Sequence, residues 1–241
     1  MTVTPMTSSG SLQSVKRIGA GLACVLCPLL FVFAFAVHPG LLTPHRLSEI
    51  ELIWRMHDNA LLAFGHVLVL LDAGLLIVVT VHLMRLLDRG WPAWAGCLGA
   101  VLAVFGAVML AAEKGAECLT ISALDSLPEA QFAQMMPGLV AIFSHQGWMA
   151  LVSGVVFLAV GLTLQAIALL ATNAISRWQS AALLIGVWLL GWPDGEEIYA
   201  LAGSVLLSLA LVPLGLQLIL GQAGAIETPR WHRPDTPALA H

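Results

Sequence analysis

Charged side chains are scarce in this chain. Asp, Glu, Lys and Arg together make up 10% of its 241 residues, against about a quarter of an ordinary soluble domain. That scarcity excludes a soluble fold, whose water-exposed surface needs many more polar groups to cover it. It also excludes a disordered chain, which requires the opposite composition. Basic residues are not in excess either. Ten Lys and Arg stand against fourteen Asp and Glu, a net charge of −4. This balance excludes a nucleic-acid binder and speaks against a polybasic lipid-binding surface.

Signature motifs are missing as well. There is no P-loop, no G-x-S-x-G, no H-E-x-x-H and no nucleotide-binding glycine fingerprint. Cysteines number four, at Cys24, Cys27, Cys97 and Cys118. Three lie inside apolar runs, which argues against a disulfide framework. The Cys24-x-x-Cys27 spacing has the form of a redox motif, but within an apolar helix it reads as small-hydrophobe packing.

What the chain has is apolar mass. Hydrophobic residues make up 59% of it, and the mean hydropathy is +0.91. Such a chain lives in lipid. A span needs about 20 apolar residues, and six segments qualify or nearly do: residues 18–37, 59–83, 94–112, 138–170, 179–192 and 199–220. The first follows Lys16 and Arg17 as a signal peptide would, but Val37-His38-Pro39-Gly40 is not a small-residue cleavage site, so it is kept as a span. The expected fold is therefore all-α, a single six-helix transmembrane bundle over residues 16–221. Residues 1–15 and 222–241 are expected to be flexible tails.

Orientation follows from the basic residues. With the N-terminus inside, Lys16, Arg17, Arg85, Arg89, Arg177, Arg230 and Arg233 fall on the inner side, and only Arg46, Arg55 and Lys114 on the outer. Both termini are then cytoplasmic, in a protein of the bacterial inner membrane. Ten of the fourteen acids fall on the outer side, which makes that face attractive to cations.

Two hairpins share a pattern. Phe64-Gly65-His66 opens the second span and Phe143-Ser144-His145 the fourth. Each span ends at a basic residue and a Trp, and each pair leads to a helix that ends in acids. A tandem repeat of helices 2–3 and 4–5 would explain this, with chance similarity as the rival.

Depth then selects candidates. His66 and His145 each lie seven residues into their spans, at 1.5 Å per residue about 10 Å below the outer boundary. Glu113 and Glu117 are one turn apart on one helix face. The 14-residue fifth segment covers only about 21 Å of a core about 30 Å thick. The turn carrying Asp194, Glu196 and Glu197 could therefore sink towards the histidines. These residues form a candidate site, with Glu113, Glu117, Glu196 and Asp194 as catalytic acids or bases. His66, His145, Glu113 and Glu197 would be ligands of a divalent or iron ion, because bundles build metal sites from inward Glu and His. Each member also has a plain reading: a histidine bonded to a neighbouring carbonyl, solvated helix-end acids, or acids favoured at a helix N-terminus. Asp72, thirteen residues into the second span, stands alone near the bilayer centre, where an ionisable group is a functional candidate. Six residues from His66, it is turned by about 240° from that side chain.

Residues 47–56, in the first outer loop, have the pattern of an amphipathic helix lying on the membrane, with Ile50, Ile53 and Trp54 towards lipid. The functional readings are four. A membrane-embedded enzyme would act on a lipid or apolar small molecule. A cytochrome would hold haem b between His66 and His145. A cation or proton transporter would use Asp72. A non-catalytic subunit would pack in a larger membrane complex through small-residue faces such as Gly96, Gly99 and Gly106. The enzyme is slightly favoured.

Overall fold

The computed structural model describes residues 9–38, 41–42, 47–191 and 196–221. These residues form eight helices and no strand: α1 (Ser9–Ala36), α2 (Glu49–Met56), α3 (Ala60–Arg85), α4 (Gly90–Asp125), α5 (Glu129–Ser144), α6 (Gln146–Thr172), α7 (Arg177–Leu190) and α8 (Glu197–Ile219). Five of them, α1, α3, α4, α6 and α8, are long and apolar enough to cross a membrane. At 14 residues α7 is shorter than these five.

Local chemistry sets the boundaries. The Asn59 side chain accepts from the Leu62 N–H at 3.0 Å and starts α3. Ser48 and Glu51 cap α2 reciprocally, as Ser176 and Gln179 do for α7, so donors left over at each helix start find acceptors. Gly90, at φ +61, makes the tight passage from α3 into α4, a conformation that costs a residue with a Cβ.

The long helices and α7 close a ring in chain order: α1 on α3, α3 on α4, α4 on α6, α6 on α7, α7 on α8, and α8 back on α1. Glycines set the closest approaches. A Cβ on Gly99 would stand 2.6 Å from the Gly161 carbonyl, and one on Gly106 would run into the Leu158 backbone N–H. On the other side of the ring, a Cβ on Gly21 would stand 2.8 Å from the Gly215 carbonyl. Small residues let helix backbones touch where lipid supplies no hydrophobic drive between helices. The interior is filled by Phe31, Leu76, Val79, Leu83, Leu169, Leu183 and Leu214. Leu71, Val101, Leu119, Ile185 and Leu209 stay exposed on the outside of the ring, as a lipid-facing surface requires.

Two short helices cover one end, called here the cap end. Ile53 of α2 packs with Phe132, Met136 and Leu139 of α5. The His57 ring stacks on Phe132 at 3.9 Å between centroids. Asp125, at the end of α4, accepts from the Asp58 N–H at 3.1 Å and lies 3.5 Å from His57 Nδ1.

Several expectations change. The apolar run 138–170 is not one helix, because it breaks at His145 into α5 and α6. The third span reaches Asp125, so α4 has 36 residues. That is about 54 Å, well beyond the apolar core. Helix α1 begins at Ser9, inside the stretch expected to be a tail. Ile53 is buried against Phe132 of α5, because the freed α5 supplies an apolar partner, while Trp54 touches Phe132 by its ring and stays, like Ile50, exposed. The tandem repeat is not supported. The second and third spans fold as helices of 26 and 36 residues, their supposed counterparts as helices of 27 and 14, and the two histidines occupy different positions.

Candidate functional site

The ends of four elements bring polar side chains together beneath the cap. His38 follows the end of α1, His66 lies near the start of α3, Glu113, Lys114 and Glu117 lie on α4, and Glu197 opens α8. All but Lys114 are buried, and the Lys114 side chain keeps 16% of its surface. Three carboxylates thus share one ammonium group and two imidazoles.

Helical spacing explains the core of the cluster. Glu113 and Glu117 are four residues apart, and the buried stripe of α4 that begins at Gly96 and Gly99 runs through both. Lys114, three residues before Glu117, reaches both acids. Its Nζ is 2.9 Å from Glu117 Oε2 and 3.3 Å from Glu113 Oε1. Such partly buried pairs are screened less than surface ones. From α3, His66 Nδ1 stands 3.7 Å from Glu117 Oε1. From α1, His38 Nε2 stands 3.7 Å from Glu197 Oε1. The two imidazole centroids are 6.3 Å apart. Both 3.7 Å contacts are longer than a hydrogen bond. Catalytic contacts are often that loose before a ligand binds.

His38 sits outside the spans. Burial pushes its imidazole from the ordinary 6.5 down to about 4, with His66 and Lys114 adding to the effect and Glu117 opposing it. His38 is therefore neutral at neutral pH. The unfolded chain takes up this proton near 6.5 and the folded chain only near 4, so stability should fall as pH drops through that interval. Ring-nitrogen NMR is expected to show a neutral tautomer until about pH 4. A midpoint near 6.5 would remove the burial argument.

Beside His66 a cleft of about 190 Å³ opens on the outer surface of the ring. Met56 of α2 roofs it, and Leu62, Ala63, Val67, Leu119 and Ile121 form apolar walls. Its neighbours Phe64 and Leu119 are exposed to the lipid side. The His66 imidazole belongs to its lining. The cleft therefore joins the outer surface of the ring to the edge of the buried polar cluster at His66.

The candidates from the sequence are distributed as follows. His66, Glu113, Glu117 and Glu197 come together. Glu196 is half-buried at the N-cap of α8, and Asp194 lies outside the described residues. His145 does not join them. It is exposed at the junction of α5 and α6, where its Nδ1 accepts from the Gly147 N–H at 3.3 Å as a helix cap. Its expected depth presumed an unbroken helix. Among the described residues, no three His, Cys, Asp or Glu side chains are grouped as a metal ion needs. Lys114 supplies the positive charge between the acids instead. Asp72 does face the interior, on the same broad buried side of α3 as His66, because α1 and α4 flank that helix on two sides.

Two members were missed. His38 is not among the sequence candidates, although it falls just beyond the end of the first span. Lys114 was read only as a lone outer base, although its spacing from Glu117 on a helix predicts their pairing.

No protein-family model matches this chain, and no curated protein and no solved structure matches it.

Proposed function

We propose that this protein is a multi-pass membrane enzyme that admits an apolar or lipid molecule sideways from one leaflet and acts on it by general acid–base chemistry. One observation carries the reading. The His66 imidazole lines a cleft that opens on the apolar outer surface of the ring and is backed, at 3.7 Å, by buried Glu117. A carboxylate behind an imidazole holds its orientation and tautomer and stabilises its protonated form. So oriented, the imidazole exchanges a proton with a ligand in the cleft. Lys114 stabilises negative charge that develops there, and Glu113 is a second proton carrier. A metal-dependent form of the reaction is not favoured, since Lys114 already neutralises the two acids that would be ligands.

In this reading α7 is a sixth, short span, supported by its packing between α6 and α8 in the ring. The termini are cytoplasmic, the cap faces outward, and the membrane is a bacterial plasma membrane, as the distribution of arginines suggests.

Reconstituted with a total bacterial lipid extract, the protein should change the lipid profile seen by mass spectrometry. His66→Gln and Glu117→Gln should slow that change by about 10²- to 10⁴-fold, the range of a lost acid or base. Ala63→Trp, which fills the cleft, should raise the lipid concentration needed for half-maximal rate. Equal rates in wild type and His66→Gln would end the proposal.

A further inference from the structure

Away from the cluster, the interior holds a second set of polar groups, and α3 connects them. Asp72 has 0% of its surface exposed, and neither carboxyl oxygen has an N–H or O–H partner. The thiol of Cys27, on α1, lies beside it. Two turns further on, the Thr80 hydroxyl is likewise buried without a partner. Thr120, Thr172, Ser204 and Ser208 each donate to a carbonyl of the preceding turn, the usual solution for a hydroxyl in an apolar helix. Thr80 does not adopt it. Its own carbonyl accepts instead from Gln165 Nε2 of α6 at 3.1 Å, and the same amide donates to the Gly96 carbonyl at 3.2 Å. That leaves Gln165 Oε1 unpartnered, and His82 Nε2, near the other end of α3, is unpartnered too.

Buried polar atoms are nearly always paired. Here Asp72 and Thr80 of α3, with Gln165 of α6 against the Thr80 carbonyl, follow one another from the middle of the bundle towards the end opposite the cap. On the cap side, His66 is six residues, about 9 Å, from Asp72. Thr80 is eight residues, about 12 Å, on the other side. Lone polar groups at such intervals suit a file of internal water, each molecule needing two to four polar partners. An alkali cation at Asp72 would need several more oxygen ligands than one carboxyl supplies. A proton needs only the carboxyl and its neighbours.

We propose that the interior faces of α3 and α6 carry a proton route through the bundle, from His66 at the cap end through Asp72 to Thr80 and Gln165. Asp72 binds the proton at the midpoint, and bridging water carries it to either side. The route does not depend on lipid chemistry at the cleft.

The test uses the full-length protein in liposomes that contain a trapped pH-sensitive dye. A potassium gradient with valinomycin imposes the driving voltage. Wild-type vesicles should acidify or alkalinise faster than protein-free vesicles, according to the sign of the voltage. Asp72→Asn, which keeps the volume and removes the exchangeable proton, should return the rate to that of protein-free vesicles. Thr80→Val, an isosteric change that removes the hydroxyl, should lower it. Should Asp72→Asn not fold, Thr80→Val decides by the same criterion. Wild-type vesicles no faster than empty ones would overturn the proposal. So would a folded Asp72→Asn that matches wild type, or a flux carried by sodium rather than protons. Asp72→Asn should leave lipid turnover unchanged, so failure of one proposal is distinguishable from failure of the other.

Discussion

Lys114→Met is expected to destabilise the protein by about 3 kcal/mol, the low end of the cost of breaking a buried ion pair by removing one partner. Two buried carboxylates lose the ammonium group that lies 2.9 and 3.3 Å from them. The acids remain buried on α4, because the backbone directs them inward whatever stands between them. They must then take up protons or drag water into the cap end. The loss should be partly reversed in the triple variant Lys114→Met, Glu113→Gln, Glu117→Gln, in which neither position on α4 carries a buried charge. Thermal unfolding in nanodiscs, followed by tryptophan fluorescence, reads the effect. A Lys114→Met midpoint equal to wild type would show that the acids are compensated in another way.

Gly106→Ala should be as damaging, for a steric reason. The new methyl would meet Leu158 of α6 at its backbone N–H and stand 2.6 Å from its Cα. Backbone atoms do not rotate away as a side-chain tip does, so α4 and α6 must separate. The cost should exceed the 1–3 kcal/mol typical of an overfilled core, and larger residues at this position should prevent folding. Gly74→Ala is the matched control. A Cβ there meets nothing within 4 Å, so only the better helix propensity of alanine is felt, worth up to about 1 kcal/mol. Thermal unfolding of the two variants should therefore move in opposite directions. Equal shifts would mean that the α4–α6 contact does not limit stability.

Much of the site was readable before the fold was known. The spacing of Glu113 and Glu117 placed both on one helix face. The depth of His66 placed it near the same end of the bundle. The short α7 pointed to the first turn of α8, where Glu197 is indeed buried. His145 failed as a candidate because hydropathy does not register a break between two apolar helices. In residues 138–170 the break is marked only by Ser144-His145-Gln146, too short a polar stretch to divide a span-length window, and a histidine cap looks the same in the sequence as a histidine inside the span. On a narrow interior face, a turn of about 240° around the helix would set Asp72 apart from His66. With α1 on one side and α4 on the other, α3 buries a wider arc, and both residues fall within it.

By itself, the sequence determined that this chain is helical and lives in lipid. About 59% apolar residues, with so few charges, place it there. Apolar runs of about 20 residues fit helices, whose backbone groups bond within the segment, rather than the shorter strands of a closed barrel. It also determined which residues would be costly there. Only the tertiary structure decided which of those residues meet. His38 with Glu197, His66 with Glu117, and Gln165 with the Thr80 carbonyl are contacts between different helices. The 3.6-residue repeat sets the face on which a side chain lies. Which helix lies opposite that face depends on where glycines allow two backbones to touch, and that is a property of the packed bundle.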